Sequence, residues 1–151
     1  MGDPVRELTH DHADINRRVR AIGTMIDELE HGTRTADAAL ARPIGELREL
    51  LFHHFAREEE GLFPFVAEVV PELGERVAEM EVAHDTICGA LARMYELASH
   101  EPTAAPLVAV YRRFERAYAE HARVEGAVLH SLDGRLDDAQ RARLAAVVDG
   151  L

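Results

Sequence analysis

The sequence predicts an all-α fold, an up-down-up-down antiparallel four-helix bundle with a short C-terminal fifth helix. Three observations lead there. Apolar residues recur at alternating spacings of three and four through four long segments, the signature of helices with one buried face. Strand-like alternation is absent. The segments are joined by short connections carrying glycine or proline, and long helices joined by short turns pack as antiparallel neighbours.

In the first helix, Asp3-Pro4 supplies an N-cap followed by proline at the first helical position. Val5, Leu8, His12, Ile15, Val19, Ile22, Ile26 and Leu29 then trace one face, and Gly32 provides a C-terminal stop. A polar connection from Thr33 to about Asp37 leads into a second pattern, Ile44, Leu47, Leu51, His54, Glu58 and Phe65. Pro64 is expected to kink or end that helix, and Pro71 with Gly74 marks the next turn. The third helix carries Val77, Met80, His84, Ile87, Leu91, Met94 and Ala98, and Pro102 with Pro106 brackets the connection that follows. The fourth reads Leu107, Tyr111, Phe114, Tyr118, His121, Glu125, Val128 and Leu132, closed by Gly134. A short fifth helix is expected from Asp137, with Gln140 completing a capping box and Leu144, Val147 and Val148 on its apolar side.

The 151 residues suit a single domain spanning 1–151 with room for a hydrophobic core. Seventeen basic against 28 acidic residues leave a net charge of −11, whose field repels nucleic acid and anionic membrane surfaces alike. The single cysteine, Cys88, excludes an intramolecular disulfide and suits a reducing cytoplasm, the expected location. The N-terminal stretch is charged throughout, and no apolar run approaches about 18 residues, so neither a signal peptide nor a membrane span is expected. Nine histidines are the one compositional oddity.

Those histidines carry the functional argument. In each long helix an ionisable residue interrupts the apolar stripe without leaving its phase: His12; His54 with Glu58; His84; His121 with Glu125. Side chains four apart share a helix face about 6 Å apart along the axis, so each His-x-x-x-Glu pair can address one centre. The depths agree as well. His12 and His54 lie roughly 20 residues either side of the first turn, about 30 Å from it; His54 and His84 flank the Pro71 turn at about 15 residues each; His84 and His121 straddle the third at roughly 18. All four helices therefore deliver polar groups to one layer. Four imidazoles and two carboxylates unpaired in an apolar core would cost many kcal/mol, and a cation removes that cost. One carboxylate from each of two helices suits bridging two metals with histidines terminal. Mixed N/O ligation without thiolate favours iron or manganese over structural zinc.

The pattern resembles the hemerythrin-like, or HHE cation-binding, family: histidine, His-x-x-x-Glu, histidine, His-x-x-x-Glu on successive helices. It is carried by Asp11-His12, by HFAREEEGLFP from His54 to Pro64, by EVAHDTI from Glu81 to Ile87, and by EHARVE from Glu120 to Glu125, within roughly residues 4–133. The resemblance implies a non-haem diiron cofactor, two iron ions with an oxo or hydroxo bridge. It assigns Glu58 and Glu125 as bridges, His12, His54, His84 and His121 as terminal ligands, and dioxygen, peroxide or nitric oxide as the small-molecule ligand. In one respect the chain departs from the family's oxygen carriers, which have five histidines, two of them on helix three about one turn apart. Here Met80 and Cys88 stand four residues from His84, and Glu81 stands three before it. Glu81 is therefore a further candidate metal ligand, of the Glu-x-x-His kind. A third carboxylate would favour ferric iron and tilt the chemistry from reversible carriage towards redox chemistry, iron handling or sensing.

Other residues are assigned blander roles. His10, His31, His53, His100 and His130 fall off the stripes and read as surface, as do Glu59 and Glu60, while Cys88, Tyr118, Met25, Met80 and Met94 read as core packing. Three function classes follow. The centre binds or senses a small oxidant or nitric oxide and signals through a partner protein; it turns over substrate as a diiron oxidase, peroxidase or catalase-like enzyme; or it is a metal-stabilised bundle for iron storage or interaction.

Overall fold

A computed structural model describes residues 3–100 and 103–149, apart from the side chains of Glu7, Thr9, His10, Asp11 and Asp149. Pro102, and the side chains of His10 and Asp11, thus lie outside the described residues. The fold is all-α, with no strand among the described residues. Helix α1 spans Pro4–Glu30 and α2 Ala41–Arg57; a π-helical turn over Glu58–Leu62 leads into α3, Phe63–Val69. Then come α4, Gly74–His100; α5, Ala104–Asp133; and α6, Asp138–Asp149. Short 3₁₀ turns at Ala38–Leu40 and Pro71–Leu73 complete the connections. None of the helices described is long and apolar enough to cross a membrane.

The ends form as local chemistry dictates. Asp3 accepts from the Val5 amide at 3.2 Å, satisfying one of the donors that a helix start leaves open. At the far end of α1 the Thr33 amide donates to the Glu28 carbonyl at 2.9 Å, a reversal that requires the left-handed φ of +75° adopted by Gly32. The capping box of α6 is reciprocal: the Gln140 amide donates to Asp137 Oδ1 at 2.7 Å, and the Asp137 amide to Gln140 Oε1 at 3.0 Å.

The second helix departs from the expected kink at Pro64. The irregularity begins earlier, at Glu58, and the Phe63 amide bonds the Glu58 carbonyl five residues back. Proline has no amide to donate and its ring crowds the carbonyl four residues before it. The wider turn relieves that crowding and leaves Pro64 in the first turn of α3, where a missing donor costs nothing.

Helix α1 packs against α2 and α5, and α4 against the same two, closing a ring; α6 lies against α1 and the π-turn. Two apolar clusters fill the interior. One gathers Ile15–Leu29 of α1, Ile44–Phe55 of α2, Ile87–Ala98 of α4 and Leu107–Tyr118 of α5. The other gathers Val5 and Leu8, Leu62–Val70, Val77 and Met80, and Val124–Leu132, and is covered by Leu144 and Val148 of α6. On every long helix the in-phase polar residue falls between the two clusters. A polar layer therefore crosses the core, and the apolar packing above and below fixes its height.

Candidate metal centre

His54, Glu58, His84, His121 and Glu125 are buried, and the His12 side chain is 19% exposed at the rim. Their inward atoms form two groups, each within a space that one cation could fill: His12, His54, Glu58 and Glu125, and Glu58, His84 and His121. Glu58 Oε1 stands 2.5 Å from His54 Nε2 and 3.7 Å from His12 Nε2, while its Oε2 stands 2.9 Å from His84 Nε2. Glu125 repeats the division. Its Oε1 is 3.1 Å from His12 Nε2 and 3.9 Å from His54 Nε2, and its Oε2 is 3.0 Å from His121 Nε2. Each carboxylate thus gives one oxygen to the α1/α2 imidazole pair and the other to the α4/α5 side.

The electrostatics demand a counter-charge. Burial, with the Glu125 carboxylate beside it, holds the Glu58 carboxyl well above the usual range. Burial pushes Glu125 the same way, but polar contacts with Glu58, His12 and His121 outweigh it and hold that carboxyl well below. Alone, the pair keeps a proton; beside cations both ionise. Burial also lowers His54 to about 4 and His84 to about 3, so these imidazoles are neutral at physiological pH, the form that binds metal. Both Glu58 oxygens, Glu125 Oε1, and the Nε2 atoms of His84 and His121 are buried without an aligned hydrogen bond. Converging polar atoms without aligned partners fit cation binding by nitrogen and oxygen donors.

The surroundings hold three residues that the helical stripe did not mark. Glu59, expected to be solvated, is 43% exposed, yet its Oε1 lies 2.9 Å from His84 Nδ1. Phe55 stacks on the His84 ring at 3.7 Å between centroids and 12° between planes, and Phe63 lies against it at 5.4 Å and 23°. Tyr118 is buried as core, and its hydroxyl donates to Asn16 Oδ1 at 2.6 Å. Cys88 is half-buried against the first apolar cluster, where burial raises its thiol. Glu81 is exposed and belongs to neither group, and Glu60, His31, His53, His100 and His130 are exposed as expected.

No curated protein matches the chain. Residues 3–132 match the family described as the hemerythrin HHE cation binding domain, a span covering both His-x-x-x-Glu pairs and the histidines of α1 and α4. A buried histidine and glutamate layer supplied by four helices, together with that match over most of its length, makes this chain a member of the hemerythrin HHE cation-binding family.

Proposed function

We propose that the chain is a non-haem diiron protein whose buried centre binds or reacts with dioxygen, peroxide or nitric oxide, in sensing, iron handling or the response to oxidative and nitrosative stress. The observation that carries this reading is the division of oxygens: Glu58 and Glu125 each span two positions, which His12 with His54 and His84 with His121 complete. Six protein ligands exceed what one tetrahedral zinc takes, and an all-nitrogen-and-oxygen donor set suits iron. Bound iron would supply redox-active positions open to a small ligand. The chain's own part is to present neutral imidazoles, to set both carboxylates between them, and to exclude bulk water with the apolar clusters on either side.

The same reading takes residues 1–151 as one domain and the ring of long helices as an up-down-up-down bundle. It is supported by the way one apolar cluster joins the C-terminal parts of α1 and α4 to α2 and the N-terminal part of α5. For a cytoplasmic setting, the support is the single, free Cys88.

An enzymatic reading stands second, as a diiron oxidase, peroxidase or catalase-like activity. It is favoured by the spare α4 position: α4 gives one histidine, flanked by buried Met80 and half-buried Cys88, so fewer imidazoles hold the centre than in an oxygen carrier. Anaerobic reduction of the iron-loaded protein followed by air separates the two. A stable, reversible charge-transfer band supports binding, and steady oxygen evolution from added peroxide supports the enzyme. Metal analysis giving one zinc per chain, or none, after expression with iron would sink the diiron reading.

A further inference from the structure

His84 is held unlike the other buried imidazoles. The Nδ1 atoms of His54 and His121 are buried without a hydrogen-bond partner, whereas His84 Nδ1 lies 2.9 Å from Glu59 Oε1. Its Nε2 lies 2.9 Å from Glu58 Oε2, so two consecutive glutamates address both nitrogens of one ring. Both carboxylates come from the π-turn, whose wider winding changes the angle between successive side chains. Phe55, in the last turn before it, and Phe63, just after, stack against the same ring. The π-turn thus addresses both ring nitrogens of His84, and the residues on either side of it stack two aromatic rings against the imidazole.

We propose that Glu59 is a positioning residue for the metal position that His84 and His121 complete. By accepting from Nδ1, Glu59 keeps the proton there and turns the Nε2 lone pair inward; its charge also makes the imidazole a stronger donor. The Nδ1 atoms of His54 and His121 lack such a partner, so of the three buried imidazoles His84 is the one whose tautomer Glu59 sets. This rests on the proposed two-cation reading, and the experiment keeps the two apart.

In metal-free, ¹⁵N-labelled protein, long-range proton–nitrogen spectra report which ring nitrogen of His84 carries the proton. Wild type is expected to show the Nδ1–H form, Glu59→Ala to shift His84 away from it, and Glu59→Gln to keep it, because the amide oxygen can still accept. In an anaerobic Fe(II) titration, Glu59→Ala is expected to weaken one of the two binding steps about 10- to 100-fold, with Glu60→Gln unchanged as the neighbouring control. An Nδ1–H His84 in Glu59→Ala, together with wild-type Fe(II) affinity in both steps, would overturn the proposal. If the wild type fails to take up two Fe(II) ions, the diiron reading falls, and the metal-free tautomer still reports on Glu59.

Discussion

His12 of α1 and His54 of α2 point their Nε2 atoms at each other across 2.9 Å, although 42 residues separate them in the chain. Without a cation, one ring must donate to the other. With one between them, both lone pairs turn to it. The centre is therefore poised between proton and metal, and its stability should depend on which is present.

For the metal-free protein, stability is expected to fall on both sides of a mildly acidic optimum. His54 is lowered by burial from 6.5 to about 4, and His84 to about 3. As pH falls below 6.5 the unfolded chain protonates these residues first, so their contribution, present above 6.5, is lost towards the folded values. For His54 the loss amounts to about 3 kcal/mol. Glu58 works in the opposite sense. Its raised carboxyl holds a proton that the unfolded chain releases near 4.5, so its contribution is lost as pH rises through the folded value. Urea midpoints from acid to alkaline pH should show both limbs, and Fe(II) under argon should abolish the alkaline one.

Alanine at Glu58 removes an oxygen from both positions and should cost the protein its iron. His121→Ala should lose iron too, whereas His53→Ala, exposed and one residue from His54, should keep the wild-type complement. Iron per chain after expression with added metal is the measurement. Equal losses in all three would refute the assignment by helix phase.

Gly23 reports on packing away from the centre. A methyl there would stand 2.6 Å from the Tyr111 hydroxyl, which donates to Glu115 Oε2 at 3.1 Å and lies 3.4 Å from the Val19 carbonyl oxygen. Alanine gains about 0.8–1 kcal/mol in helix propensity. Displacing the buried hydroxyl costs about 1–3 kcal/mol, so Gly23→Ala should destabilise. With Tyr111→Phe the nearest remaining ring atom is at 3.4 Å, and the same alanine should stabilise by up to about 1 kcal/mol. A double-mutant cycle in urea tests the change of sign.

Helix α6 should fray when its cap is cut. Asp137→Ala removes the acceptor for the Gln140 amide and should cost about 1 kcal/mol, seen first as faster amide exchange within α6. Leu144→Ala opens the second apolar cluster and should cost about 2–5 kcal/mol in global unfolding.

Much of this architecture is readable in the stripe. His12, His54, His84 and His121 keep the phase of their apolar neighbours, so burying the leucines and isoleucines carries the polar groups inward. Equal distances from the turns set their common height. The stripe does not reveal Glu59. Helical periodicity places it beside Glu58 and facing solvent, and only a π-turn brings it behind an imidazole 25 residues away. Glu81 shows the converse. It is close to His84 in sequence and a chelator candidate by spacing, yet on α4 it is exposed and joins neither group.

By itself, the sequence placed six side chains in one layer of the core and left Glu81 as a seventh candidate. That choice depends on helical phase and chain length, both local quantities. Only the tertiary structure decided which oxygen of Glu58 or Glu125 serves which histidine pair, and which imidazole Glu59 supports. Those pairings join residues on different helices, and they depend on how the π-turn and the two apolar clusters rotate and seat each helix against its neighbours.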